Sequence, residues 1–207
     1  MKKILYLTIL LPLSIFYISC QQNKKLNIDD YNNAIIQILK HSTKYAANQL
    51  NKDIKEQKIN FKQDIFWQDT SIIQQYNKCI YKLTKKILPS LLEIFTENID
   101  NFTVENPYSL LKGDNILLPN QNVDSMSITH YFELIYRDKI VKNITPQIQK
   151  IISENKLCPK KNKENLNSEN IANKLIDNFL NYMQQAELNI RRNNKVFYNY
   201  LYYENEN

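Results

Sequence analysis

The chain has 207 residues, 43% of them hydrophobic and 23% charged, with 27 basic side chains against 21 acidic ones and a net charge of +6. Its single glycine, Gly113, argues against sandwiches and small barrels, which consume glycine at turns and bulges. It also excludes a Walker A loop, a Gly-x-Gly-x-x-Gly dinucleotide turn and a Gly-x-Ser-x-Gly nucleophile elbow. The basic excess is dispersed and nearly all lysine, with arginine only at 137, 191 and 192. A nucleic-acid surface clusters arginine on one face, so no nucleic acid is expected as a partner.

In chain order, Lys2 and Lys3 form a short cationic start, and Ile4 to Ile18 is an almost unbroken apolar run. A small residue, Ser19, then precedes Cys20, and the chain turns polar from Gln21. This is the layout of an export signal. An uncleaved anchor helix is the alternative, but about fifteen apolar residues fall short of the roughly 20 that span a bilayer, and Pro12 interrupts them. An ordinary signal peptide is a further alternative. The ending Tyr17-Ile18-Ser19-Cys20 resembles the lipobox of bacterial lipoproteins, with Tyr17 where leucine is usual. That resemblance implies cleavage before Cys20 and acylation, by palmitate or similar chains, of its sulfur and new amino group. Three acyl chains exceed the two that suffice for stable anchoring. The protein is then held on the extracytoplasmic side of a bacterial cell membrane. Gln21 in place of aspartate suggests, by similarity to enterobacterial sorting, the outer membrane, although inner and outer stay open. Lys24 and Lys25 sit where they meet anionic headgroups.

The resulting division is 1–19 signal peptide, 20–28 lipidated tether and 29–207 a single helical domain. Loss of residues 1–19 leaves 188 of the 207 and removes Lys2 and Lys3, lowering the net charge from +6 to +4. That length suffices for one domain with a real core, or at most two small ones. With Cys20 lipidated, Cys79 and Cys158 remain as an even pair in a compartment where disulfides persist. A bridge between them closes a loop of about 80 residues, for which chain entropy gives roughly 4 to 5 kcal/mol. The alternative is two unrelated thiols, with Cys79 a small buried hydrophobe.

Four stretches carry helical periodicity, and the expected fold is mainly α, a bundle of about four long helices interrupted by prolines. The first places Tyr31, Ala34, Ile35, Ile38, Leu39, Ala46 and Leu50 on one face, behind a cap at Asn27 or Asp29. The second runs from Ile72 through Ile80, Leu83, Ile87, Leu91, Phe95 and Ile99 to Phe102, with a capping box at Ser71 and Gln74. Pro89 predicts a kink or break near Leu88. The third, Ser127 to Ser153, sets Tyr131, Phe132, Ile135, Val141, Ile144, Ile148, Ile151 and Ile152 on one side, with Pro146 a kink or a new start. The fourth runs from Asn167 to Tyr200 along Ile171, Leu175, Ile176, Phe179, Leu180, Tyr182, Met183, Ala186, Ile190, Val196 and Phe197. Between them, 51–70 carries Ile59, Phe61, Ile65 and Trp67 at odd positions and fits a short strand or a draped segment. Residues 105–125, with Pro107, Gly113 and Pro119, and 156–168 read as loops.

Chemistry-bearing patterns are few. Only His41 and His130 are available to a metal or a catalytic triad, and no metal site, cofactor or catalytic residue is assigned. His130-Tyr131-Phe132-Glu133 puts an imidazole and a carboxylate one helical turn apart, the reverse of the Glu-x-x-His of di-iron bundles, and it occurs once. Glu93 and Glu97 read as a solvated helix face. Asn101-Phe102-Thr103 matches a glycosylation pattern that a bacterial-type lipobox makes irrelevant. The tail from Val196 to Tyr203 holds five aromatic rings, more than one helical stripe buries, and fits either core packing or an interface. The function expected is non-enzymatic, an envelope lipoprotein that binds or scaffolds another envelope protein. The alternatives are a small-ligand or metal binder with a cleft lined by Tyr31, Tyr76, Tyr131 and Trp67, and a hydrolase whose motif the sequence does not display.

Overall fold

The structure, a computed structural model, describes residues 26–56, 58, 70–112, 116–118, 121–123, 127–154 and 167–202. It is a mainly α bundle. The described elements in chain order are α1 (Ile28–Glu56), α2 (Thr70–Asp100), α3 (Pro107–Lys112), β1 (Ile116–Leu118), β2 (Gln121–Val123), α4 (Ile128–Glu154), α5 (Ser168–Arg192) and α6 (Asn194–Tyr202). The two strands pair with each other antiparallel, Ile116 opposite Val123 and Leu118 opposite Gln121.

The long helices α1, α2, α4 and α5 form a ring in which each packs on its sequence neighbours, and α5 closes the ring on α1. Side-chain bonds fix the directions. Asn32, early in α1, both accepts from the Val104 N–H (3.1 Å) and donates to its carbonyl (3.4 Å), just past the end of α2. The Tyr136 hydroxyl, early in α4, donates to the Asn101 carbonyl at that same end of α2. Ser168 at the start of α5 donates to Gln149 near the end of α4. Successive helices therefore run antiparallel. One end of the bundle gathers the start of α1, the end of α2, α3, the start of α4 and the end of α5.

Short polar residues stop and start these helices. The Asn27 side chain accepts from the Asp30 N–H (2.8 Å) while Asp30 accepts from the Asn27 N–H (3.0 Å), a reciprocal cap that satisfies two of the orphan donors. Asn27, not Asp29, is thus the cap. Asn106 caps α3 through the Ser109 N–H, Ser127 caps α4 through the His130 N–H, and Asn167 accepts from Glu169 and Asn170 at the head of α5.

The core joins all four faces. Ile35, Ile38, Leu39 and Leu50 of α1, Leu83, Ile87, Leu91 and Phe95 of α2, Phe132, Ile144 and Ile148 of α4, and Leu175, Ile176 and Phe179 of α5 are essentially inaccessible to water. At its centre the Phe95 ring lies 4.6 Å from Phe179 and 5.9 Å from Phe132, and Phe102 meets Phe132 at 5.6 Å. Such ring pairs each contribute about 0.5–1.5 kcal/mol beyond their buried area.

Five expectations change. Neither the break at Pro89 nor the new start at Pro146 occurs, since the two lie inside α2 and α4; each ring is exposed, so the lost amide bond falls on the solvent side. Ile135 does not join the core, being 47% exposed. The buried residues of α4 instead step by four, Ile128, Phe132, Ile140, Ile144 and Ile148, and a four-residue step drifts forward around a 3.6-residue helix, leaving Ile135 behind it. The fourth stretch is two helices, parted at Asn193. That residue adopts an extended backbone, donates its N–H to the Ile190 carbonyl and accepts from the Val196 N–H with its side chain, ending α5 and capping α6 in one residue. Finally, 105–125 is not a bare loop, since it holds α3 and the β1–β2 hairpin. Helix α2 also begins at Thr70, one residue before the expected Ser71.

Candidate functional site

A cavity of about 560 Å³ opens at the gathered end of the bundle, lined by Leu26, Tyr31, Tyr108, Leu111, Lys112, Arg191, Phe197, Tyr198 and Leu201. Its walls follow from the local folding just described. Tyr31 lies on the first turns of α1 and meets the Tyr108 ring of α3 edge-on at 5.4 Å. The Lys112 ammonium sits 4.5 Å above the same Tyr108 ring, a cation–π arrangement. The break at Asn193 folds α6 back, so that Phe197, Tyr198 and Leu201 supply the opposite wall while Tyr200 is buried and faces His41 at 6.1 Å.

Beneath the cavity a buried charge holds three helices together. Glu187 of α5 is fully buried. Its Oε1 accepts from the Ile128 N–H (2.7 Å) and its Oε2 from the Thr129 N–H (2.8 Å). With Ser127 capping His130, the open N–H groups of the first α4 turn are satisfied, and the negative charge lies at the positive end of the helix dipole. Arg191, one turn further along α5, donates its Nε to Glu187 (2.7 Å) and its two terminal nitrogens to the Leu111 (2.7 Å) and Leu110 (3.0 Å) carbonyls. These belong to the last turn of α3, where unpaired carbonyls attract a cation. One ion pair thus closes the start of α4 and the end of α3 together.

Two further polar groups lie elsewhere. Glu133 accepts from Arg137 (2.7 Å), which also reaches Asp177 of α5 at 2.5 Å and Asn173 at 3.4 Å. Burial works against the Arg137 cation, but Asp177 and Glu133 together hold its pKa above the ordinary value. The Tyr182 hydroxyl donates to the Asp53 carboxylate, binding α5 to α1. Burial, and then that bond and charge, push its pKa up to about 12.

The residues singled out from the sequence are placed as follows. His130 lies 3.3 Å from Glu133, but the other Glu133 oxygen belongs to Arg137, so the pair is part of a helix-surface network. Glu93 and Glu97 are both exposed. Of the four rings expected to line a cleft, Tyr31 lines the cavity, and Tyr131 packs against Phe102 at 6.0 Å. The Tyr76 side chain and Trp67 lie outside the described residues. Cys79 is buried and disulfide-bonded, while Cys20 and Cys158, the other two cysteines, lie outside them. Among the described residues no three of His, Cys, Asp and Glu come together as a metal site, and no helix is long and apolar enough to cross a membrane. Sequence reasoning passed over Glu187, Arg191 and Tyr108. The signal for the first two was present, since Glu187 stands four residues after Met183 and three before Ile190, on the apolar stripe, with an arginine one turn on. No family model, curated protein or solved structure matches the chain.

Proposed function

We propose that this protein is a lipid-anchored bacterial envelope lipoprotein with a non-enzymatic role, binding or scaffolding another envelope component. The observation that carries the reading is the apolar leader ending in Tyr17-Ile18-Ser19-Cys20. The disulfide at Cys79 supports it, because such bonds persist in exported proteins and are rare in reducing compartments. A Cys79–Cys158 pairing, with Cys20 given to lipid, is the arrangement this reading favours. Cross-linking the full chain in intact cells, followed by purification, tests it. One envelope protein should be enriched with the wild type and depleted with Cys20→Ser. Recovery of the same proteins with both forms would contradict an anchored role.

A second reading, a small-ligand-binding lipoprotein, is favoured by one observation, the cavity of about 560 Å³ walled by Tyr31, Tyr108, Phe197 and Tyr198. Its volume falls within the roughly 300–1,000 Å³ of ordinary ligand sites. A thermal-shift screen against small ligands, metals and envelope glycans distinguishes the two. A ligand that raises Tm for the wild type and not for Tyr31→Ala would select the pocket reading. No shift with any of them would leave the scaffold.

A further inference from the structure

We propose that the ring-lined end of the bundle rests on the headgroup layer of a phospholipid bilayer, an orientation that depends on lipidation at Cys20. Leu26, which already lines the cavity, stands six positions after Cys20. A fully extended chain covers at most about 3.6 Å per residue, so the cavity end lies within roughly 20 Å of the anchor. Helix α1, 29 residues long, carries the other end of the bundle about 40 Å further away at 1.5 Å per residue. The cavity end is therefore the membrane-proximal one.

The surface at that end suits such a contact. Ile28 is 61% exposed, Tyr198 55% and Tyr108 46%. Tyr108 of α3 and Tyr198 of α6 line the one opening, and Ile28 of α1 stands in sequence between Leu26 and Tyr31, which line it too. Tyrosine is favoured at the membrane–water boundary because its ring is apolar and its hydroxyl stays wet. Lys112 beside the Tyr108 ring and the exposed Lys195 of α6 supply positive charge toward anionic headgroups. Asp29, Asp30 and Glu105 stand at the same end and reduce that excess, so the rings, more than the charge, define the contact.

Hydroxyl-radical footprinting of tyrosines tests the orientation without altering any side chain. The acylated chain is placed in vesicles of phosphatidylethanolamine and phosphatidylglycerol and compared with the chain from Gln21 onward, free in buffer. On the lipoprotein reading the mature chain begins at Cys20, so the form from Gln21 lacks only that residue and its lipid. Oxidation of Tyr108 and Tyr198 should fall roughly threefold or more on the vesicles, as expected for groups buried in the headgroup region. Tyr81, partly exposed in the distant half of α2, should not change. The same digest reads the acyl mass on Cys20. An acylated Cys20 with Tyr108 and Tyr198 oxidised as in the free chain overturns the orientation and leaves the anchor standing. A fall that includes Tyr81 equally also overturns it. Protection in native membranes but not in lipid-only vesicles overturns it in favour of a protein partner. An unacylated Cys20 removes the lipoprotein reading and this inference together.

Discussion

Glu187 is a carboxylate set in the apolar face of α5, and its position is explained by what it closes. Its oxygens take two N–H groups of α4 and one Arg191 N–H. Removing one partner of a buried pair leaves the other uncompensated, at a cost of about 3–5 kcal/mol. Arg191→Ala should therefore lower Tm by on the order of 10 °C, at 2–4 °C per kcal/mol for a chain of this size. Glu187→Ala should act comparably, because it strands two amides and a guanidinium. A melting curve within 2 °C of wild type for both variants, well under that scale, would remove the clamp from the account. Tyr182 gives a pH signature. Its folded pKa, about 12, lies above the roughly 10 of an unfolded tyrosine, so its contribution is complete below about pH 10 and is lost as pH rises through the folded value. The urea midpoint of the wild type should fall more steeply than that of Tyr182→Phe over this window. Parallel curves would contradict the Asp53 bond. The Tyr182–Asp53 pairing was not legible in the sequence, since the 129 positions from Asp53 to Tyr182 join only once the ring of helices closes.

At the scale of elements, helix identity was legible and helix endings were less so. The described side chains of the α1, α2 and α5 stripes appear in the buried core nearly residue for residue, because a wide apolar face at 3.6-residue spacing has one way to be buried. Neither proline ends its helix, since propensity reports only the local cost of a lost amide bond and tertiary packing carries α2 through Pro89 and α4 through Pro146. The α5–α6 break went unseen because the apolar stripe runs on through Val196 and Phe197, while Asn193 acts as stop and cap together. The cavity was half legible. Tyr31 and the tail aromatics could be named, but Tyr108 became a wall only through α3. Deleting 197–207 removes buried Tyr200 and the partly buried Phe197 and Leu201. Two or three such side chains amount to on the order of 5 kcal/mol, a large share of the roughly 5–15 kcal/mol stability of a domain. A marked fall in Tm is expected. An unchanged curve would assign the tail to an interface instead.

At the scale of the molecule, an antiparallel four-helix ring is closed at one end by α3, α6 and the Glu187–Arg191 pair, and Leu26 stands at that same end. The placement of Leu26 in the cavity wall gives the leader a structural consequence, because a short lipid tether would fix which end faces the membrane. The disulfide belongs to this scale too. Peptide mapping of exported, unreduced protein should recover Cys79 joined to Cys158, and two freely alkylated thiols would contradict the pairing. The anchor itself is the central claim, and metabolic labelling with an alkynyl fatty acid tests it most directly. The wild type should carry the label and Cys20→Ser should not. Equal labelling of both, or none in either, would contradict a lipoprotein.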